Sequence, residues 1–161
     1  MKKKINNHLI KIVAIIILIL DQITKFIFTN KEIAIIKDLF SINYCENYGA
    51  AWNLFNNQVL GLILVSMIVF LVLLKYRQSF LLNTRNKIAF GLVFGGLLGN
   101  LIDRIFHGFV KDFISVIIVN YHFPVFNIAD MAIVIGMLLI LIAVLKKEDM
   151  YGKNSSNKRI K

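Results

Sequence analysis

Apolar residues run almost unbroken through four stretches of the chain: roughly Leu9–Phe28, Val59–Leu74, Ile88–Ile102 and Phe123–Leu145. Each approaches the ~20 residues that a helix needs to cross a bilayer. The second stretch lies in an uncharged run from Asn47 to Leu74. The third is short, so its helix is expected to extend about a turn past each charged edge. Between the first two, residues 30–57 alternate short apolar and polar runs ("EIAIIKDLFSINYC"), which predicts a small sheet resting on the membrane. Phe113–Val119 ("FISVIIV") is β-branched and too short to span, and reads as a short strand or a surface segment. No repeat or boundary interrupts this plan. The expected architecture is a single all-α membrane domain over 1–161, with four transmembrane helices, a small extracytoplasmic β-rich cradle and a polar cytoplasmic tail at 146–161.

Composition supports this reading. Of 161 residues, 58% are hydrophobic and 17% charged, whereas a soluble domain is roughly half apolar and a quarter charged. A net charge of +10 would suit nucleic acid, but the basic residues cluster at 2–11, 75–87 and 146–161, each beside an apolar stretch. They act as topology signals, and no nucleic-acid partner is expected. Placing both termini and the 75–87 loop in the cytoplasm puts 14 of the 19 Lys and Arg inside, so 30–57 and 104–122 face outward. The first span follows Lys2–Lys4 but lacks a small-x-small cleavage site and continues into "FTNKEIAII", so it is expected to be retained. Cys45 is alone, which excludes an intrachain disulfide, and His8, His107 and His122 have no zinc-site spacing. No metal and no cofactor is expected.

Carboxylates stand out against so apolar a background, because an intramembrane charge costs about 2.5–3.5 kcal/mol on insertion scales. Each is either a reacting group or part of a structural ion pair. Asp21 precedes Lys25 by one helical turn, the favourable order for a pair, which argues for structure. Gly91, Gly95 and Gly99 form a smooth face for close packing, within one bundle or between two, and Asp103 continues it beside Asn100. Asp103 and Arg104 read as a packed polar anchor, with Arg104 facing a ligand's backbone carbonyl. Asp112 and Asp130 lack such partners: Lys111 should point away from its neighbour, and no basic residue separates Asp130 from Lys146. Asp130 is placed about two turns into the fourth span, with Asn127 on the same face three residues earlier. Two carboxyls meeting at the outer edge would share one proton, the state needed for a general base and a general acid together. Spacing alone does not show that they meet.

The chain resembles the lipoprotein signal peptidases (signal peptidase II), bacterial intramembrane aspartic proteases, through "DQITK" (21–25), "NYGAA" (47–51), "GNLIDR" (99–104), "GFVKDFI" (108–114) and "FNIAD" (126–130). These occur in the family's order across most of the chain. The resemblance implies removal of the signal peptide from diacylglyceryl-modified prolipoproteins, cut just before the lipidated cysteine, at the outer leaflet of the bacterial plasma membrane. It implies Asp112 and Asp130 as the catalytic pair and Asn47, Asn100, Arg104 and Asn127 along the substrate groove. Asp21, Lys25 and Asp103 are implied as structural polar residues, and a monomer in membrane lipid is favoured. The chain departs from the family at Trp52, where Phe is common, and at Lys111, where an aliphatic residue is usual. Residues 47–55 would form a mobile lid over the substrate. The rival readings are a proton carrier lined by the same carboxyls and an assembly protein using the glycine face. The first lacks a polar relay in the inner leaflet, and the second leaves Asp130 and Asn127 unexplained.

Overall fold

A computed structural model of the chain describes residues 7–50, 54–55, 57–76 and 83–146. In chain order it contains α1 (His8–Phe28), β1 (Glu32–Ile36), β2 (Phe40–Asn47), α2 (Val59–Tyr76), α3 (Thr84–His107), β3 (Val110–Ile118), β4 (Tyr121–His122) and α4 (Ile128–Leu145). Most of the polar tail and Trp52 lie outside the described residues, as does part of the expected lid.

α3 is the central helix, packed against α1 on one side and α4 on the other. Its glycines decide how close those neighbours come. A Cβ on Gly95 would lie 2.7 Å from the Ala14 carbonyl oxygen and 2.8 Å from Ile17 Cβ, and one on Gly91 would lie 2.6 Å from Val13 Cβ. On the other side Gly136 of α4 sits over Ala89, where a Cβ would fall 2.7 Å from its carbonyl oxygen. The glycine face is therefore consumed inside one bundle. Ile10, Ala89, Phe90, Val93, Phe94 and Ile140 form the core of these contacts. α2 buries no residue and packs mainly against α3, with Phe70 and Phe94 rings 4.9 Å apart.

Among the described residues, three helices are long and apolar enough to cross a membrane: α2, α3 and α4. α1 has 21 residues, but any 18-residue window within it carries Lys11, Asp21 and Lys25. Two of those charges are buried within the bundle.

The four strands form one antiparallel sheet in the order β1-β2-β3-β4. The alternation in 30–57 thus predicted its strands correctly, and Phe113–Val119 proves to be most of β3. Ile42, Phe113 and Ile114 seal the sheet against the end of the bundle, joined by Phe28 of α1 and Phe126. β1 is the sheet's edge, and all five of its residues are exposed. The β3–β4 turn places Val119 at φ 48 and Asn120 at φ 64, with Val119 94% exposed.

α3 extends about a turn past each edge of 88–102, as expected, because Asn83 caps its start and Gly108, at φ 80, closes its end by donating to the Arg104 carbonyl. One boundary differs from expectation. α4 begins at Ile128 rather than 123. Phe123 and Phe126 belong instead to the sheet side, where the Ile114–Phe126 bridge holds this segment against β3.

Candidate active site

That late start changes the position of Asp130. It lies in the first turn of α4, not two turns in, and Asn127 is the helix N-cap rather than a neighbour on its face. The Asn127 side-chain oxygen accepts from the Asp130 N–H at 2.9 Å, while the Asp130 carboxylate accepts from the Asn127 N–H at 3.3 Å. This reciprocal capping box is the local reason the chain turns into a helix here. It fixes the Asp130 carboxylate over the positive end of the helix dipole.

Asp112 comes from β3, with Cys45 as its cross-strand partner on β2. It is buried, 1% exposed, while Lys111 turns partly outward as the alternation of a strand requires. The bridge between Ile114 and Phe126 sets Asn127 beside it. Asn127 Nδ2 donates to Asp112 Oδ1 at 2.6 Å, so one residue touches both carboxyl groups.

The other two oxygens also have donors. Asn47 Nδ2 donates to Asp112 Oδ2 at 2.9 Å, and Asn100 Nδ2 donates to Asp130 Oδ1 at 2.7 Å. Each of the four carboxyl oxygens thus accepts one hydrogen bond. The amides cannot be reversed, because their own oxygens are committed elsewhere. Asn47 Oδ1 accepts from the Gly49 N–H at 2.9 Å, Asn127 Oδ1 caps α4, and Asn100 Oδ1 accepts from Lys25 and Asn127. Burial and the neighbouring Asp130 charge push Asp112 up to about 7, against the pull of the Asn47 and Asn127 hydrogen bonds and of Lys25. A carboxyl protonated near neutrality beside a second carboxyl can both give and take a proton.

The remaining expected residues fall close by. Lys25, 2% exposed, bridges Asp21 at 2.8 Å and Asp103 at 2.9 Å. A Cβ on Gly99 would strike the Asp21 carboxylate, so that glycine makes room for the cluster. Arg104 donates to the Gly49 carbonyl at 2.9 Å and ties α3 to the loop after β2. That acceptor is the protein's own backbone. Gln22 was not singled out from the sequence, yet its amide reaches Asp21, Asp103 and the Gly99 carbonyl at 3.2–3.3 Å. Its only signal was its place inside "DQITK". Cys45 is exposed, and partial desolvation with the Asp112 and Glu46 charges pushes its thiol up, away from the reactive thiolate.

Comparison with known proteins bears on this arrangement. The family described as "Signal peptidase (SPase) II" matches residues 13–146. A lipoprotein signal peptidase of Staphylococcus haemolyticus is 40% identical over 152 residues, covering 91% of this chain and 96% of that one. One of Clostridium tetani is 37% identical over 147 residues, covering 85% and 92%. A solved structure described as a bacterial membrane enzyme, obtained by the in meso method at 2.3 Å, superposes with a TM-score of 0.76 at 33% identity, covering 93% of each chain.

Proposed function

The chain belongs to the signal peptidase II family, a family of membrane peptidases that remove signal peptides from prolipoproteins, and we propose that it cuts as an aspartic endopeptidase through Asp112 and Asp130. The observation that carries this reading is the set of four hydrogen bonds that gives each dyad oxygen its own donor. The ionised carboxyl takes a proton from a water lying between the pair. The resulting hydroxide adds to the scissile carbonyl carbon, while the protonated carboxyl hydrogen-bonds to its oxygen. The tetrahedral carbon then expels the amine, which leaves with a proton from the dyad. The pair titrates as one unit. The cut falls just before the diacylglyceryl-modified cysteine, and no cofactor enters the scheme.

Asn47, Asn100 and Asn127 serve in this reading chiefly to aim the carboxyls, and they meet substrate only as far as the reacting peptide lies between them. Arg104 keeps one N–H on Gly49, and the rest of its five-donor fork is proposed to hold the substrate backbone. Four spans, both termini in the cytoplasm and a site at the outer leaflet of the plasma membrane fit the distribution of basic residues. A monomer fits the glycine face being used within the bundle. The test is cleavage of a diacylglyceryl-modified prolipoprotein by purified wild type, Asp112→Asn and Asp130→Asn, each shown to be folded. The wild type cuts with or without chelator and both variants leave the substrate whole. Turnover at the wild-type rate by either folded variant disproves the pair.

A further inference from the structure

Building on Asp112 and Asp130 as the reacting pair, we propose that the buried Asp21–Lys25–Asp103 cluster is a positioning device that sets the spacing and orientation of the two catalytic carboxyls, rather than only a link between helices. Three observations converge on it. Asp21 Oδ1 accepts from the Ala129 N–H at 2.9 Å, and Ala129 immediately precedes Asp130. Asp103 Oδ2 accepts from the Lys111 N–H at 3.1 Å, and Lys111 immediately precedes Asp112. Each carboxylate of the cluster therefore grips the backbone one residue before a dyad member. Lys25 fixes the distance between the two grips, at 2.8 and 2.9 Å from them.

The third observation concerns direction. An ammonium group has three donors and no acceptor. The third bond of Lys25 goes to Asn100 Oδ1 at 3.0 Å; together with Asn127 Nδ2, which donates to the same oxygen at 3.1 Å, it turns the nitrogen of Asn100 toward Asp130. A neutral residue at 25 would leave the neutral Asn127 amide alone to hold that oxygen and weaken the preference. Buried ion clusters are poor glue, since well-packed apolar residues of similar volume often hold helices as well or better. An apolar replacement cannot choose which end of Asn100 faces the dyad. Gln22 braces the same two carboxylates, at 3.2 Å from Asp21 and 3.3 Å from Asp103.

The charged and titratable groups around the dyad are Asp21 and Lys25 from α1, Asp103 and Arg104 from α3, Cys45 and Glu46 from β2, and Lys111 from β3. Glu46 accepts from the Tyr44 and Tyr48 hydroxyls, and Arg104 is held by Gly49. Lys25 is the cation that reaches Asp130 through a single intervening amide.

Two variants test the proposal. The triple Asp21→Asn/Lys25→Met/Asp103→Asn removes the charges together and so avoids stranding a buried ion. Gln22→Met removes only the brace. Both are assayed on diacylglyceryl-modified prolipoprotein beside Asp112→Asn, with kcat, KM and the pH profile of kcat measured on folded protein. The triple is expected to lose about 10- to 100-fold in kcat, the scale of a 1 Å misplacement, with KM within about twofold. Gln22→Met is expected to lose several-fold in kcat. A folded triple with wild-type kcat overturns the proposal. Should the triple fail to assemble, Gln22→Met decides alone, and an unchanged kcat there overturns it. Cleavage by folded Asp112→Asn would instead remove the dyad assignment itself.

Discussion

Replacing Asn127 separates two jobs that one side chain performs. Asn127→Ala deletes the N-cap acceptor of α4 and, at the other end of the same amide, the donor to Asp112 and Asn100. Loss of an N-cap costs about 1 kcal/mol, and loss of a hydrogen bond to a charged group about 1.5–3 kcal/mol. The alanine variant should therefore lose about 3 kcal/mol. Asn127→Ser keeps an oxygen where the cap needs it, but a single oxygen cannot occupy both ends of the amide fork. It should recover about 1 kcal/mol of stability and none of the hold on Asp112. Both variants should then fall about 10- to 100-fold in kcat, since a carboxyl free to rotate is misplaced on the ångström scale. Unfolding midpoints in one detergent, with kcat and KM on a lipid-modified substrate, give both numbers. Equal stability of the two variants would refute the cap. A wild-type kcat in the serine variant would refute the claim that Asn127 holds Asp112 for catalysis.

With Asp112 raised to about 7, kcat/KM should decline as the dyad's proton is lost on raising the pH through that value, and a profile flat to about pH 9 would contradict this. The same shift makes the folded protein bind more protons than the unfolded chain between 3.8 and about 7. This group's contribution to stability therefore falls as pH rises across that window, which unfolding midpoints would report. Gly95→Ala should destabilise by about 1–3 kcal/mol, because its Cβ meets the Ala14 backbone and Ile17 Cβ rather than a flexible tip. Gly61→Ala, with nothing within 4 Å, should be neutral or slightly stabilising in the same thermal assay. Val119→Asn should raise stability by about 1 kcal/mol, seen as a higher unfolding midpoint, since a β-branched residue at φ 48 on an exposed turn is strained.

The helices and their polar residues were legible because apolar runs and glycine spacing report directly on burial. The start of α4 was not. Phe123–Phe126 are as apolar as the helix that follows, and only their pairing to β3, a contact distant in sequence, keeps them extended. The capping signal was present in "NIAD", an Asn three residues before an Asp, but it is outweighed when hydropathy alone sets the boundary. Asp21 and Lys25 could be paired from their one-turn spacing. Their reach to Ala129, Asp103 and Asn100 could not, because it depends on α3 and α4 lying within a glycine's width. The approach of Asp112 to Asp130 depends likewise on a strand register and a helix cap together, and neither alone places the pair.

The three charges of α1 also bear on how the protein is made. α1 is synthesised first, while Asp103 and Asn100 arrive only after β1, β2, α2 and most of α3 have followed. Until then the one carboxylate that α1 itself offers Lys25 is Asp21, a single turn back on the same helix. That pair keeps this part of the emerging segment electrically neutral while it waits in or beside the lipid. The glycine face of α3 lets it lie close enough for Asp103 to meet the same ammonium. The bond within one helix can thus form before the bond between two, and Asp112 can meet Asp130 only once the last helix has been made.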